Sequence, residues 1–223
     1  MNVSILIGTF GEVKWADLAY ERARPSAMEQ GAAQVIQGHL PDAGLADVRN
    51  MLAEDATGDW LCFLDADDEL CPGYVDAMET ANREHWADAL EGEDDSALPW
   101  RALLVPAVGY PGAVPVIPAW GRAMIDVNCC VIGTLVPRDL FHAVGGFRDT
   151  LADGGPLPAP GLEDWDFWLR CVLAGARLVP VPAAVYCASG RPGAGSHNMD
   201  VYHRIRAEHE AAYRVLQQAG HAP

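Results

Sequence analysis

The stretch Leu61-Cys62-Phe63-Leu64-Asp65-Ala66-Asp67-Asp68-Glu69 decides how this chain is read. A short apolar run ends in four acidic side chains spread over five positions. The apolar part reads as a buried strand, and the acids stand where it leaves the core. Ionised together they repel: two like charges about 4 Å apart cost roughly 4 kcal/mol at an effective dielectric near 20. Such a cluster calls for a cation or a raised pKa. Hard carboxylate oxygens suit Mg²⁺ or Mn²⁺, and a metal so held commonly grips a diphosphate. The plainer reading is an acid-rich turn in which Asp caps a helix beginning near Pro72.

Upstream, residues 3–8 are almost continuously apolar, as in a strand covered on both faces. Thr9-Phe10-Gly11-Glu12 then reads as a turn. Helical spacing of Trp15, Leu18, Ala19 and Arg22 predicts one helix over residues 13–30. Residues 34–37 suit a short second strand. Leu45, Val48, Leu52 and Ala56 share one face of a helix over residues 44–56, which Gly58 ends. Residues 60–64 are the third strand. This alternation predicts a parallel α/β sheet, with ligands at the carboxyl ends of its strands. Residues 9–12 and 65–68 both fall there and share one crevice.

Downstream, the acidic residues 91–95 read as a solvated loop without chemistry. Residues 99–118 suggest short strands joined by turns, and residues 124–136 are strand-like. A short helix over 138–144 ends at Gly145-Gly146. The Gly- and Pro-rich residues 149–161 form either a mobile lid or a plain surface loop. A helix over 163–173, strands over 177–181 and 184–187, and a flexible Gly-rich segment over 189–198 follow. Asp200 caps a last amphipathic helix reaching about residue 219.

The formal charge of −16 argues against a nucleic-acid partner, which needs basic patches. No apolar run approaches the roughly 20 residues that span a bilayer. The first residues lack a basic n-region, and the expected location is cytoplasmic. The six cysteines include no C-x-x-C pair and read as small buried hydrophobes in a reduced compartment.

The motifs then fall into an order. Thr9-Phe10 follows the first strand, and Val48-Arg49-Asn50 precedes Asp65-Ala66-Asp67-Asp68. Val144-Gly145-Gly146-Phe147 comes next, and then Gly161-Leu162-Glu163-Asp164-Trp165-Asp166-Phe167. Order and spacing resemble the family 2 glycosyltransferases over about residues 1–200. The resemblance implies a GT-A (Rossmann-like) α/β fold, a mixed and mostly parallel sheet flanked by helices. It implies one domain with a nucleotide-sugar-binding half at 1–100, an acceptor-binding and catalytic half at 101–200, and a C-terminal helix at 201–223. The activity it implies is transfer of a sugar from a nucleotide-diphosphate sugar to an acceptor hydroxyl on a glycan, small molecule or protein.

The resemblance also implies roles by position. Asp67 would hold Mn²⁺ or Mg²⁺ on the donor diphosphate, and His197 would reach the metal or diphosphate. Asp65 and Ala66 would lie near the ribose or sugar. Thr9 and Phe10, with Glu12 nearby, match the segment contacting the nucleoside. Arg49 matches a position facing the diphosphate, though it could instead pair with Asp47 or Glu54. Asp164 matches the base of inverting members, with Glu163 and Trp165 beside it near the acceptor, and Asp166 is the next candidate. Trp165 and Trp168 could also be core, with one left free to stack on a sugar.

Transfer asks for such groups: a neutralised leaving diphosphate, a base within hydrogen-bond reach of the acceptor hydroxyl, and positioning. Single displacement would invert the anomeric centre. The chain departs from the family where an Asp-Asp-Gly-Ser segment is usual, reading Gln37-Gly38-His39-Leu40-Pro41-Asp42 instead. Two rivals remain at this point. One is a nucleotidyltransferase, which would want a basic Gly-rich loop after the first strand. The other is a non-catalytic sugar- or nucleotide-binding module.

Overall fold

The computed structural model describes residues 1–91, 102–117, 128, 130–157, 162–190 and 199–218. Strand β1, Val3–Phe10, is buried from Val3 to Thr9, as its unbroken apolar run requires. Two helices follow, α1 (Lys14–Glu21) and α2 (Ala23–Met28), where the sequence suggested one. The cause is Pro25: it has no N–H, and its ring would strike the carbonyl four residues back. Strand β2, Gln34–Leu40, pairs in parallel with β1 and runs past residue 37, because β1 continues to pair with it up to Phe10↔Leu40. Helix α3 (Leu45–Glu54) turns Val48 and Leu52 onto β1. Gly8 permits this approach, since a Cβ there would lie 3.0 Å from Val48 Cγ1.

Strand β3, Trp60–Leu64, pairs in parallel with β1 from Val3↔Trp60 to Ile7↔Leu64. That register puts Thr9, Phe10 and Asp65 on one carboxyl edge. After β4 (Glu69–Leu70) and α4 (Tyr74–Glu91), β5 (Ala102–Gly109) is fully buried. The short β6 (Val136–Pro137) runs antiparallel to β3 and leads into α5 (Arg138–Ala143). Helix α6 (Glu163–Leu173), strand β7 (Arg177–Cys187) and helix α7 (Met199–Gln218) complete the order. One sheet has the order β2-β1-β3-β6 and the other β4-β7-β5. An antiparallel bridge between Leu104 and Leu135 links them. The mixed, mostly parallel α/β architecture matches the expectation.

Several details differ from the sequence reading. The two strands expected at 177–187 are one strand, with a register shift opposite Pro106/Ala107. Of residues 124–136, the described ones contribute only Val136 to a strand, and residues 131–134 turn. Cys71 and Cys187 form a disulfide, which corrects the expectation of six reduced thiols. Pairing of β4 with β7 brings them together across 116 residues, a proximity that local spacing cannot reveal. Cys62, Cys130 and Cys171 are buried, as expected. The acidic residues 92–95 lie outside the described residues. No helix among the described residues is long and apolar enough to cross a membrane.

Candidate active site

Two side chains on one turn of α3 gather the motifs. Arg49 is 3 % exposed. It donates from Nη2 to Asp65 Oδ1 at 2.8 Å and from Nη1 to Glu163 Oε1 at 2.7 Å. It pairs with neither Asp47 nor Glu54, and its guanidinium lies over the Phe147 ring at 5.1 Å. Burial alone would lower its pKa, but Asp65, Glu163 and Asp164 outweigh burial and hold it up. Asn50 donates from Nδ2 to Phe147 O at 2.8 Å, and Phe147 N–H donates back to Asn50 Oδ1 at 2.9 Å. Gly146, at φ 65°, makes the room: a Cβ there would lie 2.5 Å from Asn50 Oδ1.

Phe147 continues the assembly through rings. It meets Phe63 of β3 edge-on at 5.0 Å and Phe167 of α6 at 4.5 Å. Each such pair adds about 0.5–1.5 kcal/mol beyond area burial. The Arg-Asn, Asp-Ala-Asp-Asp, Gly-Gly-Phe and Glu-Asp-Trp segments are therefore four sides of one packed unit.

At the end of β3 the acids have distinct partners. Asp65 is half-buried, and burial raises its pKa despite Arg49. Asp67 accepts a hydrogen bond from Ser189 Oγ at 3.0 Å. Asp68 accepts from Tyr186 OH at 2.7 Å and Ser189 N–H at 2.7 Å. Burial, then the charge of Asp65, pushes Asp68 up to about 6. Ala66 is buried between the acids. Among the described residues no ion pair reaches Asp67, Asp68 or Asp164. This excess of hard oxygen over cationic partners fits a divalent metal at Asp67. His197 lies outside the described residues.

On the β1 edge, the Thr9 hydroxyl lies 3.2 Å from Gly38 O and 3.0 Å from His39 Nδ1. Where the Thr9 hydroxyl donates to Gly38 O, His39 donates to it from Nδ1; where it donates to Nδ1 instead, Nε2 carries the ring's N–H. The second strand was expected over residues 34–37, yet His39 lies within β2, opposite Thr9. Phe10 is half-buried next to them. Glu12 is exposed and pairs with Lys14 at 2.8 Å, turned to solvent.

Asp164 opens α6. Leu162, its N-cap, is at φ 74°, the one non-glycine residue in the left-handed region among the described residues. Strain of this kind, about 1–3 kcal/mol, persists where packing over-determines the backbone. The Asp164 carboxyl accepts from Asn128 Nδ2 at 2.9 Å and from Trp165 N–H at 2.7 Å. Burial, then the charge of Glu163, pushes it up to about 7, against Arg49, Asn128 and that N–H. Asn128 was not foreseen; no local motif marks it.

Trp165 takes the core alternative: it is fully buried and stacks on Tyr202 of α7 at 5.0 Å. Trp168 is fully buried too. Asp166 is buried on the other side of α6. Arg148 grips it through Nε at 2.8 Å and Nη2 at 2.5 Å, Arg170 Nε at 2.9 Å, and His209 Nε2 lies 2.9 Å away. Burial would raise its pKa, but His209, Arg148 and Arg170 hold it down at about 2. Asp166, Glu208 and His209 bring possible ligand atoms within 4.8 Å of one another. Arg148 and Arg170 already neutralise that cluster, and a cation would have to displace them. Residues 149–157 do not hang free: Leu151 and Leu157 are buried, Glu208 accepts from Ala152 N–H, and Arg204 pairs with Asp153.

Residues 27–90 match the model of the glycosyl transferase family 2. The matched stretch holds Arg49 and the Asp65–Asp68 acids, while Asp164 lies beyond it. Over that segment the chain is similar to the glycosyl transferase family 2, the family that the motifs implied. Crystal structures of S. aureus TarS share the fold of this chain. One TarS structure has a TM-score of 0.62 at 14% identity, covering 97% of this chain and 42% of its own. TarS 1–349 in complex with UDP-GlcNAc has a TM-score of 0.64 at 14% identity, covering 96% and 66%. TarS 1–349 in complex with UDP has 0.62 at 13%, covering 96% and 65%. This chain spans less than half of the first of these. No curated protein matches it by sequence.

Proposed function

We propose that this chain transfers a sugar from a nucleotide-diphosphate sugar to an acceptor hydroxyl, with inversion. The observation that carries the reading is Arg49, which ties the Asp65 end of β3 to the Glu163–Asp164 end of α6. A donor bound at the first would be attacked by an acceptor bound at the second.

In this reading residues 1–100 bind the donor, residues 101–200 bind the acceptor and residues 201–223 are the C-terminal helix. The half-buried Asp164 is the base that takes the acceptor's proton. Its raised pKa, near the working range, suits a group that must be ionised before transfer and protonated after it. Glu163 is a positioning residue held by Arg49, and Arg49 itself is committed to carboxylates rather than to phosphate. Asp67 would hold Mn²⁺ or Mg²⁺, with His197 the further ligand; when bound, the metal supplies positive charge for the departing diphosphate. In the tautomer in which His39 donates from Nδ1, its Nε2 accepts, which suits a base with an imide-type N–H donor, as in uracil. UDP-GlcNAc and UDP, the ligands of the TarS complexes, are therefore the first to test.

The experiment is a thermal-shift panel of nucleotide sugars with and without Mn²⁺ on wild type and Asp67→Ala. A donor at a hundred times its Kd stabilises by about 2.7 kcal/mol. Metal-dependent stabilisation by one donor, lost in Asp67→Ala, is expected. No shift with any nucleotide sugar would overturn the reading.

A further inference from the structure

Among the contacts of Asp164, one comes from outside its own helix and its ion-pair network. Asn128, upstream of β6, donates from Nδ2 to Asp164 Oδ2 at 2.9 Å. The chain after it is anchored by Cys130 and Ile132, both buried. Its other side-chain atom, Oδ1, is enclosed and has no hydrogen-bond partner among the described residues. A buried amide oxygen left without a donor is costly, of order 1–3 kcal/mol. Such an atom in a native site calls for a reason.

We infer that Asn128 is the positioning residue of the base: its amide aims the Asp164 carboxylate at the acceptor and serves that carboxyl in both protonation states. The inference rests on the reading of Asp164 as base. Before transfer the carboxylate needs a donor, and Nδ2–H supplies it. During transfer the acceptor oxygen bonds to the anomeric carbon, and the electron pair of the broken bond leaves on the diphosphate. The hydroxyl proton passes to Asp164. The carboxyl then carries an O–H that needs an acceptor. A half-turn of the amide about Cβ–Cγ presents Oδ1 and satisfies it. The orphaned oxygen is the half of the amide that the proton-bearing state uses.

Other charges also face this carboxyl. Glu163 lies beside it on α6, and Arg49 reaches it from α3 while bound to Asp65 at the end of β3. Asn128 adds a neutral donor that leaves their balance unchanged. Losing it removes a charge-assisted hydrogen bond to the ionised form and a weaker neutral one to the protonated form, so the Asp164 titration moves upward by the difference. That difference corresponds to about one pH unit.

The test follows the titration of the Asp164 carboxyl carbon by NMR in ¹³C-labelled wild type, Asn128→Ala and Asn128→Asp. Asp164→Asn identifies the signal by removing it. The midpoint should rise by about one unit in Asn128→Ala. It should rise further in Asn128→Asp, where a second carboxylate replaces the donor. An unchanged midpoint in Asn128→Ala overturns the inference. In parallel, UDP release from UDP-GlcNAc with Mn²⁺ is followed against pH. The acid limb of kcat should move with the midpoint, and kcat at pH 7 should fall about fivefold with KM for UDP-GlcNAc unchanged. A KM change with kcat preserved would make Asn128 a substrate contact and overturn the positioning role. If Asp164→Asn still releases UDP at the wild-type rate, the base reading fails, while the NMR arm still decides whether Asn128 governs the carboxyl.

Discussion

Asp164 and Asp166 stand two residues apart on one helix and occupy opposite electrostatic settings. Asp166 is enclosed by Arg148, Arg170 and His209 and held down at about 2. Asp164 has an amide and a backbone N–H, with a guanidinium shared by two other acids, and is pushed up to about 7. Burial pushes both upward, so burial does not separate them; the cations within reach do. Asp166 is a joint between α6, the turn after Gly146 and α7. Asp164, in the proposed reading, is the carboxyl that exchanges a proton.

The largest effect should come from breaking the joint. Asp166→Asn leaves Arg170 without its carboxylate and Arg148 with Glu208 alone, at a cost of about 3 kcal/mol or more. For a chain of this size that is roughly 10 °C in Tm. A melt of Asp166→Asn that superimposes on wild type would remove the contrast between the two acids.

The next effect is in the pH dependence, where the acids have opposite signs. The pKa of Asp166 is lower in the folded chain than in the unfolded one. Its stabilisation is present above about pH 4 and lost as pH falls towards 2, about 2 kcal/mol in all. Asp164 has a raised folded pKa. Its favourable contribution is present below about pH 4 and lost as pH rises through 7. Urea titrations should therefore show Asp164→Asn more stable than wild type at pH 8, with the difference vanishing by pH 4. Equal stability at pH 8 would contradict the burial of an ionised Asp164.

A smaller effect belongs to the aromatic contact behind the site. Tyr202→Leu keeps the apolar cover of Trp165 but loses the stack, about 1 kcal/mol. Arg204→Ala, in an exposed pair with Asp153, should leave Tm unchanged. A larger loss in Arg204→Ala than in Tyr202→Leu would show that the 149–157 turn, and not the ring stack, holds α7.

What the sequence made legible follows from the range of the forces involved. The apolar run into Asp65 and the helix over residues 45–54 are local patterns, and the structure returns them. The end of β2 at Leu40 was missed because pairing with β1, not propensity, extends it. The motif order placed Arg49, Gly146 and Asp164 near one another, but their contacts depend on rings packing across β3 and α6. The Asp166 joint was invisible because its partners lie 18, 43 and 60 residues from their acids. Trp165 was left open between core and acceptor side for the same reason: only α7, folded back, decides that its ring is covered.

The most direct measurement is UDP release by Asp164→Asn, with the donor that stabilises wild type and Mn²⁺ present. Donor binding should persist, with the same thermal shift, while the rate falls about 10²–10⁴-fold, the contribution of a general base. A rate within a few-fold of wild type, with donor still bound, would contradict the assignment of Asp164 and with it the division of labour along α6.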